Sequence, residues 1–240
     1  MALQPGFVGK IPSQGDFISR RLPYDFIDCW DNWLQDGVGT ARSVLGERWL
    51  QTYLVGPVWR FLVGPGACGG HGWLGLWFPS VDRVGRHFPL TVAVPVPARQ
   101  WQPALLFSQE DWLGRVEDTA LRALDPRISL DQLDQALAGL PLELPDAAVV
   151  SGGTLPARGV YLLPETATQS ALVRYAATLP SAAKAPVSYW HTWGTDTVPA
   201  CYVVADRLPD AAQFPAYLSG EWAQYGLQPD TLVPPGPEAY

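Results

Sequence analysis

The chain is poor in several residue types that carry particular chemistries. Of its 240 residues only three are Cys and three are His. Cys29, Cys68 and Cys201 are odd in number and far apart, with no zinc-ligand or redox-pair spacing. They read as free thiols in a reducing compartment. His71, His87 and His191 show no ligand spacing either, so no metal is expected. No apolar run reaches about 18 residues, which excludes a spanning helix. The start, Met1-Ala2-Leu3-Gln4-Pro5, lacks the charged and apolar regions of a secretory leader. A cytoplasmic location follows as the expectation. Charged residues are also sparse, at 16%, and lysine all but absent, since the 16 basic residues are 14 Arg and two Lys.

What is present is apolar bulk. The apolar fraction is 48% and there are 11 Trp, enough for a sizeable core. The formal net charge is -7. Up to Leu90 the chain has eight basic and seven acidic residues; beyond it there are eight and 16. That distribution argues against a nucleic-acid or anionic-membrane surface. The Arg excess suits bidentate recognition of carboxylate or phosphate, and it fits a coding bias equally well.

Periodicity supplies the fold class. Residues 6–11 read as a short strand that Pro12 ends. Pro23 suits a helix start, and Phe26, Ile27, Trp30, Trp33, Leu34, Val38, Ala41, Val44 and Leu45 form a helical stripe. Gly37 and Gly39 predict a weak middle, with two helical pieces. Three strands are expected over 58–63, 72–78 and 90–96. The middle one is apolar at nearly every position and so is covered on both faces. Two helices follow from Phe107, the second capped by Ser129. Residues 171–179 read as helix, 186–193 and 199–205 as a hairpin, and 214–225 as a short helix. The pattern alone predicts a mixed α+β or a layered α/β domain; the layered α/β alternative is a three-layer sandwich, a mixed and largely antiparallel sheet with helices on both faces. One domain over 1–227 is expected, with a weak boundary in the loop 141–157 and a flexible tail over 228–240.

The densest chemistry lies in Pro79-Ser80-Val81-Asp82-Arg83-Val84-Gly85-Arg86-His87-Phe88-Pro89-Leu90. Ser80 and His87 allow a small Ser hydrolase, but no Gly-x-Ser-x-Gly elbow surrounds Ser80. Three triad members within one loop rarely converge. Lys10 is followed by Ile11-Pro12, which breaks a phosphate-loop pattern. Lys10, Ser13, Asp16, Arg20, Arg21, Arg83, Arg86 and His87 all fall at strand ends. Arg83 and Arg86 suit a phosphopeptide, while pairing of Asp16 and Asp82 with these cations would make the loops structural. The expectation favoured on the residues is that Asp82, Arg83 and Arg86 fix the junction between the sheet and the Gly9–Phe17 turn.

Three segments in order carry a family resemblance. Gly6-Phe7-Val8-Gly9-Lys10-Ile11-Pro12-Ser13-Gln14-Gly15-Asp16-Phe17, then Pro57-Val58-Trp59-Arg60-Phe61, then Pro79 to Leu90, together resemble the TagF family associated with type VI secretion. The resemblance covers about the first hundred residues. It implies a layered α/β fold and a cytoplasmic, non-enzymatic protein that restrains type VI secretion after translation. It further implies a partner, the FHA-domain scaffold protein of that apparatus, and a link to the Thr kinase and phosphatase pathway. No cofactor is implied. Trp59 and Arg60 join the loop residues as motif positions with a structural or partner-contact role.

Overall fold

Side chains on a strand alternate between two faces, and in this chain both faces of the central strands are apolar. The computed structural model describes residues 2–144, 158–164, 167–172 and 187–232. The strands are β1 (Gly6–Gly9), β2 (Ile18–Arg20), β3 (Trp59–Val63), β4 (Gly72–Phe78), β5 (Leu90–Val96), β6 (Gly159–Leu162), β7 (Val187–Thr192), β8 (Cys201–Asp206) and β9 (Pro229–Thr231). They form one sheet in the order β2-β1-β5-β4-β3-β7-β8-β6-β9. Among the described residues every pairing is antiparallel except the parallel one of β6 with β9.

The sheet divides two cores. Leu62, Leu74, Leu76, Val92 and Val94 enter one cluster, which also holds Leu105, Leu113, Val116 and Leu133. Those last four come from α3 (Leu105–Ser108), α4 (Glu110–Leu121) and α5 (Leu130–Ala138). Phe61, Val63, Trp73, Trp77 and Ala93 enter the other, with Phe26, Trp30, Trp33, Tyr53 and Phe214. These come from α1 (Tyr24–Leu45), α2 (Trp49–Leu54) and α6 (Phe214–Ser219). The mixed, largely antiparallel sheet with helices on both faces agrees with the periodicity. Ten of the 11 Trp are buried, Trp193 being the exception. Most of their indole N–H groups reach an acceptor. Trp30 donates to Thr91 Oγ1, and Trp33, Trp59, Trp73 and Trp101 donate to backbone carbonyls. An unpaired buried donor would cost about 1–3 kcal/mol, so these bonds let aromatic mass enter the core.

Four sequence expectations change. The helix over α1 is continuous rather than two pieces. Gly37 is buried in it because the Phe214 ring crosses there; a Cβ at Gly37 would stand 2.4 Å from that ring. The helix expected over 214–225 breaks at Gly220, which takes a left-handed conformation (φ 73°), and resumes as a single 3-10 turn, Trp222–Tyr225. Cys29 and Cys68, read as free thiols, are joined in a disulfide. Their 39-residue separation gives no spacing signal; α1 packing over the loop between β3 and β4 creates the proximity. Cys201 is a buried free thiol whose pKa is pushed up by that burial. The segment expected as a tail contributes Pro229–Thr231 to the sheet edge. The capping box at α5 is present, with Ser129 and Gln132 bonding each other's backbone N–H. The helix expected over 171–179 lies, beyond Leu172, outside the described residues, as does most of the loop 141–157.

The two glycines of α1 give a paired prediction. Gly37→Ala should lower the unfolding free energy measured in urea by about 1–3 kcal/mol, the cost of overpacking. Gly39→Ala meets nothing within 4 Å and should stabilise by about 0.5–1 kcal/mol through helix propensity alone. Equal effects of the two would contradict the Phe214 crossing.

Candidate functional site

The antiparallel registers bring the end of β1, the end of β4 and the start of β5 to one end of the sheet, where Gly9 and Phe78 both face Leu90. The loop from β4 to β5 therefore lies beside the turn that follows β1. The first residues of that loop are pinned from below. Ser80 is buried, its hydroxyl donates to the Lys10 carbonyl at 2.8 Å, and its backbone N–H and carbonyl both bond the Tyr53 hydroxyl. Burial raises the Tyr53 pKa, which keeps it a neutral donor.

Asp82 is the hub. Its side chain is wholly excluded from solvent. Oδ1 accepts from the backbone N–H of Val84 (3.0 Å) and Arg86 (2.9 Å). Oδ2 accepts from Lys10 Nζ (2.9 Å) and Arg86 Nε (2.6 Å). Burial alone would raise the carboxyl pKa. The hydrogen bonds from Arg86, Lys10 and Val84 outweigh it and hold the pKa well below the usual carboxylate range. The backbone closes the same turn. Asp82 N–H donates to the Arg86 carbonyl and Gly85 N–H to the Asp82 carbonyl, with Gly85 at φ 84°. Asp at the first turn position and Gly at the fourth is the residue choice that such a turn favours.

Two further bonds join this turn to the segment after β1. Arg83 N–H donates to the Gln14 carbonyl at 2.9 Å, and Arg86 Nη2 donates to the Gly15 carbonyl. Asp82, Arg83 and Arg86 thus hold the junction that the sequence suggested, Arg83 through its backbone rather than its guanidinium. Asp16 is exposed and makes no ion pair among the described residues. Ser13 Oγ is buried without a partner among them. The His87 ring packs edge-on against Tyr53, with centroids 5.6 Å apart.

The remaining motif pair lies on β3. Trp59 is buried and donates to the Tyr217 carbonyl at 2.9 Å. Arg60 is buried and ion-paired to Glu110 and Glu117 of α4. Those two glutamates stand seven residues apart on one helix face, a spacing beside the apolar stripe that could have flagged them. Opposite Arg60 in register is His191, buried, with both ring nitrogens lacking a partner among the described residues. Burial, with Arg60 nearby, pulls its pKa down to about 3. Trp193 donates to Glu110 at 3.2 Å. This cluster clamps α4 to the sheet. Among the described residues no His, Cys, Asp or Glu group is arranged to hold a metal, and no helix is long and apolar enough to cross a membrane.

Fold and site together define an α/β protein type: a largely antiparallel sheet, nine-stranded among the described residues, with helices on both faces and charged motif residues that lock two loops together at one sheet end. The family model described as TagF N-terminal domain, type VI secretion system-associated, matches residues 6–140. Among solved structures, the chain is 33% identical to the crystal structure of PA0076 from Pseudomonas aeruginosa PAO1. That match has a TM-score of 0.72 and covers 98% of this chain and 100% of that one. No curated protein matches. The chain belongs to the TagF family and is type VI secretion-associated.

Asp82→Asn should cost about 3 kcal/mol, the scale for breaking a buried ion pair. Because the folded pKa is depressed, the aspartate's contribution is complete above its unfolded pKa of about 3.9 and fades as pH falls through the folded value. Urea unfolding should show a constant gap between wild type and variant above about pH 5 that narrows below about pH 4. A gap independent of pH would contradict the role assigned to the carboxylate charge.

Proposed function

We infer that this protein is a non-enzymatic, post-translational negative regulator of type VI secretion. It acts in the cytoplasm by binding an FHA-domain component of the apparatus's Thr-phosphorylation pathway. The observation that carries the reading is the family match over 6–140, which spans all three motif segments. Their geometry supports it, since Lys10, Asp82 and Arg86 are spent on one another and on backbone groups, and Arg60 on Glu110 and Glu117. Ser80 gives its hydroxyl hydrogen to a backbone carbonyl, and His87 lies against Tyr53. That is the chemistry of a scaffold rather than of a nucleophile with its base. In a reducing cytoplasm Cys29 and Cys68 would stand as two neighbouring thiols.

Affinity purification of the tagged chain from secretion-competent cells should recover the FHA-domain component, and deletion of the gene should raise secretion. Recovery of none, with secretion unchanged, would overturn the reading. Ser80→Ala should still repress, with a stability loss of about 1 kcal/mol from one buried hydrogen bond. Loss of repression in a folded Ser80→Ala variant would favour the hydrolase alternative.

A further inference from the structure

The turn Arg83–Gly85 is fixed in its backbone and yet bare at its tip. Val84 N–H and Arg86 N–H are held by Asp82, and Arg83 N–H by Gln14. The Val84 side chain is nevertheless 66% exposed, and Phe17, on the facing segment, is 42% exposed. Single exposed apolar residues are ordinary. Here two of them stand on loops that are bonded to each other, beside two arginines. Arg83 is exposed and makes no ion pair among the described residues; its guanidinium rests over Gly15, where a Cβ would lie 3.3 Å from Nη2. Arg86 keeps 57% of its side chain exposed although its Nε is bonded to Asp82. Lys10, Arg83 and Arg86 outnumber Asp82 and Asp16, so this end is locally positive in a chain whose net charge is -7.

We propose that this tip is a docking surface for an acidic segment of a protein partner, whose carboxylates pair with Arg83 and the outer edge of Arg86 while an apolar side chain covers Val84 and Phe17. The proposal rests on the partner-binding reading above and names the surface and the chemistry it selects. The physical logic is preorganisation. A turn already held by Asp82 loses little freedom on binding. Carboxylates at the rim supply orientation and rate, and the apolar contact supplies the anchor.

Two arms test it. In the first, the isotope-labelled chain is titrated with a short synthetic peptide of alternating Glu and Leu, with a Lys/Leu peptide and a phosphothreonine peptide of otherwise neutral sequence as controls. The Glu/Leu peptide should shift the amide resonances of Gly15–Phe17 and Arg83–Arg86. Its binding should weaken at least about tenfold at about 1 M salt, where the screening length is about 3 Å. No shifts, shifts elsewhere, equal binding of the Lys/Leu peptide or preference for the phosphothreonine peptide would overturn the proposal. In the second arm, the Arg83→Glu/Val84→Asp variant, checked for an unchanged melting temperature, is used for affinity purification. Recovery of the FHA-domain component by wild type but not by the variant supports the surface. Equal recovery overturns the surface and leaves the regulator reading standing. If wild type recovers none, the regulator reading fails and the titration alone judges the surface.

Discussion

A carboxylate withdrawn from water has to be compensated on every side. Asp82 meets that demand with two backbone N–H groups, one ammonium and one guanidinium. The requirement organises more than its own turn. Lys10 can reach Asp82 only if β1 runs antiparallel beside β5 and ends opposite Leu90. A side chain at Gly9 would drive into the Pro89 carbonyl, 2.1 Å from a Cβ there. Gly9, Lys10, Asp82 and Arg86 are therefore one constraint spread over 78 residues of chain. Small side chains and charged ones share these motifs for a single reason: they close one junction.

The platform beneath that junction is a sheet buried on both faces. One face carries the aromatic cluster of α1, where the rings of Trp30, Phe61 and Trp190 pack with centroids within 6 Å of one another. The other carries the cluster beneath α3, α4 and α5, where Leu and Val predominate beside aromatics such as Trp101 and Phe107. Arg60, although on a buried strand, faces α4 and is neutralised there by Glu110 and Glu117. Both halves of the motif chemistry thus lie at the same sheet end, one locking loops and the other clamping a helix. A framework of this kind moves little, so what it offers a partner is a fixed arrangement of exposed side chains.

Local pattern made much of this legible. The apolar runs of β3, β4 and β5, the stripe of α1 and the Ser129 cap each depend on neighbours within a few residues. The junction around Asp82 was also readable, because opposite charges fell at the ends of adjacent apolar runs. What the chain did not announce depends on tertiary proximity. Cys29 meets Cys68 only because α1 crosses the β3–β4 loop. Gly37 reads as a helix breaker until Phe214 is placed against it. Glu110 and Glu117 look like solvated helix residues until Arg60 is found beneath them. Pro229–Thr231 joins the sheet by parallel pairing with β6, a long-range contact with no hairpin signal.

The central claim is that Asp82 holds an exposed turn rigid. Amide hydrogen exchange on the intact protein measures this directly. The N–H groups of Arg83, Val84 and Arg86 should be strongly protected, although their side chains are exposed, while Gly70, where an added Cβ would meet nothing within 4 Å, should exchange rapidly. Exchange of those three amides at free-peptide rates would contradict the account.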